Sequence, residues 1–148
     1  MREHFLPYWF RGFDQSLAKL DDTAIDTLMA RCGRACSDSY PKQVYIDAYR
    51  ASETLDAFIA RLNDSFDEMA MRRIDADTIE VAYTHCACDL VRDGYVSNPK
   101  LCICSLKNLQ YNWEAVLGEG SVECTMEQSI LGGGDCCRFL VKILAKTE

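Results

Sequence analysis

Two pairs of short β-rich runs limit what this chain can fold into. Met71 to Ile74 and Thr78 to Thr84 are separated by Asp75, Ala76 and Asp77; Ser121 to Ile130 and Cys137 to Leu144 are joined by Leu131-Gly132-Gly133-Gly134-Asp135. Connections this short cannot carry a parallel crossover, which takes a dozen residues or more, so each pair predicts an antiparallel hairpin. In the last run Phe139, Val141 and Ile143 alternate with Arg138, Leu140 and Lys142. That period of two sends Cys137, Phe139 and Val141 to one face and Cys136 to the other, unless the turn is bulged.

Everything before Met71 follows a helical period. Leu17, Leu20, Ala24, Leu28 and Cys32 recur at three- and four-residue steps, predicting an amphipathic helix from Asp14 to Cys32, with Gly33 ending or bending it. A second helix is expected to start near Pro41, which a first turn tolerates, and a third behind a Ser52 cap, carrying Leu55, Phe58, Ile59, Leu62, Phe66 and Met69. A further helix, about Cys104 to Leu117, lies between the strand pairs and stops at Gly118. The expected fold is α+β: N-terminal helices packed on a four-stranded antiparallel sheet, with one helix inserted between the strand pairs. It forms one domain over residues 1–148, with an N-terminal arm at 1–12, a helical part at 14–70 and a sheet-containing, cysteine-rich part at 71–148.

A chain of 148 residues can bury a core without disulfides, so stability does not account for nine cysteines. The arm, MREHFLPYWFRGF, is interrupted by Arg2, Glu3, Pro7 and Arg11 too early for an export signal or a membrane span, which predicts a cytoplasmic protein with reduced thiols. Its aromatic character offers a homodimer contact. A net charge of −7 and a pI near 4.8 exclude the basic footprint that nucleic acids and anionic membranes reward. The expected partner is a small-molecule ligand or substrate.

The cysteines are patterned. Cys86 and Cys88, in "THCACDL" at the end of an expected strand, share a face, with His85 on the other. Cys102 and Cys104, in "PKLCICS", repeat the spacing just before a helix whose free N–H groups favour thiolates. Two such pairs can supply a tetrahedral thiolate site for zinc. An iron–sulfur cluster draws on the same ligands, but none of the recognised cluster spacings is present. Cys32 and Cys36 lie four apart, one face of a continuous helix, and suit a redox pair or further ligands, whereas Cys124 alternates with core residues. The competing reading is packing, because free cysteine is among the most buried residue types. His85 cannot readily activate the adjacent Cys86 from the opposite face of a strand, and the glycine run precedes a strand, not a helix, so it is turn chemistry and no phosphate loop.

The stretch from Pro99 to Ile143, with "LCICS", "VLGEG" and "VECTMEQSILGGGDCCRFLVKI", resembles the four-vinyl-reductase-like ligand-binding domains and the related L-2-amino-thiazoline-4-carboxylic acid hydrolase-like proteins. The shared features are a glutamate on the penultimate strand, Glu127; a glycine-aspartate turn, Gly134-Asp135; and a Cys-x-Phe-x-Ile ending, here Cys137, Phe139 and Val141. "RCGRACSD" is similar to a cysteine motif of the hydrolase-like group. The resemblance implies a mixed α/β domain and, at the positions of its sensory members' zinc ligands, Cys102 or Cys104, Glu127, Ile130 and Cys137. Ile130 cannot ligate, which leaves Cys86, Cys88 or Cys136 to replace it.

Three functions are therefore expected in turn. The first is a small-molecule-binding domain with a cysteine-rich zinc site. The second is a hydrolase acting on a non-peptide C–N bond of a small cyclic amidine or amide, through a thiolate of Cys102, Cys104 or Cys137 or a metal-bound water. The third is a protein-interaction module with packing cysteines, since the wider fold also serves as an assembly subunit.

Overall fold

A computed structural model of the chain describes residues 2–85 and 88–144. Four helices come first: α1 (Arg2–Leu17), α2 (Asp22–Ser39), α3 (Pro41–Arg50) and α4 (Leu55–Ser65). The hairpin β1 (Met69–Arg73) and β2 (Thr78–Tyr83) follows, then the one-turn helix α5 (Asp89–Arg92), a 3-10 turn (Pro99–Leu101), the long helix α6 (Cys102–Leu117), and the hairpin β3 (Val122–Gln128) and β4 (Cys137–Ile143). The fold is thus α+β, with helices on a four-stranded antiparallel sheet of order β1-β2-β4-β3 and α6 inserted between the hairpins.

Alternation gives the sheet one buried face. Met69, Met71, Ile79, Val81, Cys137, Phe139, Val141 and Val122 meet Tyr45, Phe58, Ile59, Leu62, Leu109 and Trp113 from α3, α4 and α6. The opposite face is wet and charged: Glu80 accepts from Arg72 at 3.3 Å and lies 3.7 Å from Arg138. Both edge strands are capped by side-chain amides. Asn63 accepts from the Met71 N–H at 2.7 Å and donates to its carbonyl at 3.0 Å, while Gln110 accepts from the Cys124 N–H at 3.0 Å and donates to the Val122 carbonyl at 2.7 Å. Each amide imitates a neighbouring strand over one stretch of the edge.

A second, smaller core holds α1 and the start of α2 against the loop after α5, with Leu17, Ile25, Met29, Val96 and Leu101 buried together. Asp14 on α1 ties that loop down, accepting from the N–H and hydroxyl of Ser97 and the N–H of Asn98 at 2.9–3.1 Å.

Several expected boundaries move. The helix expected from Asp14 to Cys32 is two helices, because Asp21 caps α2 by accepting from the Ala24 N–H at 2.8 Å. The apolar stripe runs through this break because both helices bury their apolar residues in the same small core. Gly33 does not end α2, which continues to Ser39. The cap of α4 is Thr54, not Ser52; the helix stops at Ser65, so Met69 belongs to β1. The strand expected to reach Thr84 ends at Tyr83. Gly118 closes α6 with φ +106°, a conformation that favours glycine.

Candidate functional site

The cysteines expected as ligands divide between two places. The larger group gathers where α2 crosses α6. Gly33 makes that crossing close: a Cβ built on it would stand 2.7 Å from the Cys104 carbonyl, 2.8 Å from the Lys107 Cβ and 2.9 Å from the Asn108 amide nitrogen. Lys107 and Asp26 pair across the same interface at 2.6 Å. With the helices this near, Cys32 and Cys36 on α2, Cys88 at the N-cap of α5 and Cys102 in the first turn of α6 are all electrostatic neighbours of Cys104, although Cys32 and Cys36 are exposed and Cys102 is buried.

Their mutual influence appears in their acidity. Burial pushes the Cys104 thiol up to about 12, with added contributions, in order, from Cys36, Cys32, Cys88 and Cys102. The Cys36 thiol is raised by burial and by Cys88, a hydrogen bond from Asn108 acts in the opposite sense, and Asp89 adds to the rise. Ionised thiols so close together repel one another in a partly dry setting, and both effects favour the protonated form. At neutral pH Cys104 is a neutral thiol, the reverse of what a nucleophile requires.

Asn108 belongs to a polar network that sequence reasoning did not single out. The buried Ser37 hydroxyl donates to Asn112 Oδ1 at 2.5 Å, Asn112 donates to Asn108 Oδ1 at 2.9 Å, and Asn108 donates to the Gly33 carbonyl at 3.4 Å. The chain of bonds runs from inside the α2–α6 interface to the thiols. Its signal was available: Asn108 and Asn112 are one turn apart on the same side of a helix whose neighbours Leu109 and Trp113 are core.

The second place is the terminal hairpin. Cys137, with Phe139 and Val141, faces the main core as alternation requires, and its sulfur accepts from the Ile130 N–H at 3.4 Å. Cys136 lies outside β4 and takes a contact from Gln128 Nε2 at 3.2 Å. Glu127 is exposed, at the point where the register between β3 and β4 shifts. Cys124 packs against the core, where burial and then Glu114 push its thiol up to about 12. Tyr83 pairs with Cys137 across the β2–β4 ladder and has Cys36 among its electrostatic neighbours, so its phenol, raised by burial, stands between the two places.

Cys88 is not on a strand, and Cys86 lies outside the described residues, so the shared strand face expected for this pair does not exist at Cys88. Among the described residues, no three His, Cys, Asp or Glu side chains are arranged around a point that holds a metal ion. Thiols are donors of the kind zinc takes, but the described α2–α6 thiols are not gathered around one point; the inherited set of Cys102 or Cys104, Glu127 and Cys137 places its members at the helix seam, on an exposed bulge and under the hairpin.

An open surface depression of about 610 Å³ is lined by Glu68, Thr84, His85, Val91, Arg92, Ile130 and Asp135. No described helix is long and apolar enough to cross a membrane.

No protein-family model matches the chain, and neither does any curated protein. Among solved structures, it is similar to a trafficking protein particle complex subunit 3 from Naegleria fowleri, solved covalently bound to palmitic acid. The two share 12% identity with a TM-score of 0.56, over 97% of this chain and 95% of that one. At that identity the likeness concerns the fold.

Proposed function

We propose that this chain is a cytoplasmic small-molecule-binding domain with a thiol centre at the α2–α6 seam, and that the centre takes zinc. What supports the reading is the close crossing of α2 and α6 at Gly33, which leaves Cys32, Cys36, Cys88 and Cys102, from three separate stretches of sequence, as electrostatic neighbours of Cys104. A dication inverts that relation: neighbours that make a bare thiolate costly become its ligands, and the protons leave as the metal binds. Reduced thiols at this density suit the reducing cytosol.

Metal analysis of protein purified without added metal is expected to give about one zinc per chain, which shields about four thiols from a thiol reagent until a chelator is added. Affinity falls as the pH is lowered, because Cys104, with its pKa pushed up to about 12, must give up a proton to ligate. Absence of zinc, with thiols that react alike before and after chelation, would leave only packing cysteines.

A second reading, an assembly subunit, is favoured by α1. Phe5, Leu6, Tyr8 and Trp9 are 46–65% exposed on it, while Phe10 and Phe13 on the same helix pack against the small core. Phe5, Tyr8 and Trp9, with Leu6, give α1 an aromatic-rich apolar surface of the kind that interfaces use. A Phe5→Ser/Tyr8→Ser double variant, which leaves the packed residues in place, is expected to abolish homodimer formation in sedimentation analysis. A wild-type monomer, or a double variant that still dimerises, rules out this contact.

A further inference from the structure

Helix α1 carries two stripes, one of which packs on the rest of the chain. Phe10, Phe13 and Leu17 recur at steps of three and four and enter the small core. Phe5, Trp9, Gly12 and Ser16, at steps of four, three and four, form a neighbouring stripe that is exposed along its whole length. Its two halves differ in size. Phe5 and Trp9 stand out from the surface, 61% and 54% exposed, whereas a Cβ built on Gly12 would meet nothing within 4 Å. The Ser16 hydroxyl donates to the Gly12 carbonyl at 2.8 Å, so the small half can be covered without leaving that hydroxyl unpaired.

The large half is held in position. The Trp9 ring stacks on Phe13 at 6.0 Å and meets Phe10 edge-on at 5.1 Å, and both of those rings pack against the small core. An indole braced in this way gives up little freedom when a partner covers it. Tyr8, on the flank of the stripe, takes the Arg11 guanidinium over its ring at 4.9 Å.

A stripe that reads large, large, small, small is complementary to itself when reversed. In a two-fold contact, residue i of one copy meets residue j of the other and j meets i in return. Trp9 opposite Gly12 and Phe5 opposite Ser16 are both centred between Phe10 and Arg11, so a single axis sets both pairs in an antiparallel alignment. A parallel alignment would set Trp9 against Trp9 and leave Gly12 facing Gly12. Phe5, Tyr8 and Trp9 are each more than half exposed, and at roughly 150–250 Å² per aromatic side chain they offer on the order of 350 Å² per copy. With Leu6, Gly12 and Ser16 added, the pair approaches about 1,000 Å² in total, the lower limit for a specific dimer and suited to a contact of roughly micromolar strength.

We propose that two copies of the chain pair through α1 in antiparallel alignment, Trp9 of each lying over Gly12 of the other and Phe5 over Ser16. The proposal rests on the assembly reading above and adds to it the direction and register of the contact.

The experiment is sedimentation equilibrium on the full chain under reducing conditions, with wild type, Trp9→Ala, Gly12→Trp and the double variant Trp9→Ala/Gly12→Trp. Each single change acts twice in a two-fold contact, removing a covered aromatic or filling the space that receives it, and is expected to weaken dimerisation about a hundredfold. The double variant is expected to recover most of that loss, because the indole at position 12 then faces the space vacated at position 9. A variant that has merely lost its fold cannot produce such a recovery. Gly12→Ala, too small to fill the space, is expected to stay within a few-fold of wild type. Dimerisation of Gly12→Trp at wild-type strength, or a double variant no better than the singles, would overturn the antiparallel register; loss of the dimer in Phe5→Ser/Tyr8→Ser would then leave the α1 contact itself standing. A wild-type chain that stays monomeric removes both.

Discussion

Trp113→Ala is expected to lower the unfolding free energy by about 3–5 kcal/mol, the usual cost of truncating a large aromatic in a packed core. Trp113 is 0% exposed and joins the helical layer to itself: its ring meets Phe58 at 5.3 Å and Tyr45 at 6.2 Å, both edge-on, from α4 and α3 respectively. Removing it leaves a void bounded by three helices that are fixed by other contacts, so the walls can close only in part. Its indole N–H has no acceptor among the described residues. An unpaired buried donor is a cost that phenylalanine does not carry, so Trp113→Phe is expected to lose less than about 1.5 kcal/mol in spite of its smaller ring. Urea denaturation of both variants checks the pair. Equal losses would mean that the indole N–H has a partner or that the site collapses freely.

Gly33→Ala is the second large effect, and its direction is opposite to helix propensity. Alanine is better than glycine inside a helix by about 1 kcal/mol. At Gly33 the added methyl would meet the Cys104 carbonyl and the Asn108 nitrogen at 2.7 and 2.9 Å. Both are backbone atoms and cannot rotate away, so α2 has to move off α6 and the variant is expected to lose about 1–3 kcal/mol net. Gly12→Ala, in α1 with open space around it, is the control. It is expected to be neutral or to gain up to about 1 kcal/mol. Because the Gly33 contact also brings Cys32 and Cys36 to Cys102 and Cys104, Gly33→Ala is expected to lose zinc uptake under conditions where most of the protein is still folded. Thermal melts and zinc titration on the same samples separate the two effects. A Gly33→Ala protein as stable as wild type would show that the helices are not in contact there.

The sheet was legible in the sequence because its evidence is local. Each hairpin shows period-two alternation on both sides of a short polar or glycine-rich link, and the burial of Cys137, Phe139 and Val141 follows from counting alone. The end of α2 was not legible in the same way. Gly33 reads as a helix breaker until the neighbouring helix is known, and only tertiary packing shows that it was a point of contact. Cys88 was misplaced for a related reason: alternation was extended past Tyr83, where hydrogen bonding to β4 stops. Cysteine spacing indicated which residues to watch but could not group them, since Cys32 and Cys36 approach Cys104 across nearly half the chain. Asp21 and the Asn108–Asn112 pair were readable signals, a cap and two amides on an apolar helix face, and their meaning depended on knowing what lay opposite.

The amides of Asn63 and Gln110 bear on how copies of this chain can meet. A β-sheet with open sides can extend by taking on a strand from another molecule, the route to fibres and exchanged domains. Here an incoming strand would first have to displace a side chain that already satisfies the Met71 backbone on one side, or those of Val122 and Cys124 on the other. Growth by strand addition is therefore obstructed at both ends of the sheet. The contact proposed for the aromatic surface of α1 is of another kind: a contact made by helices can saturate at two copies, where a strand ladder has no built-in end.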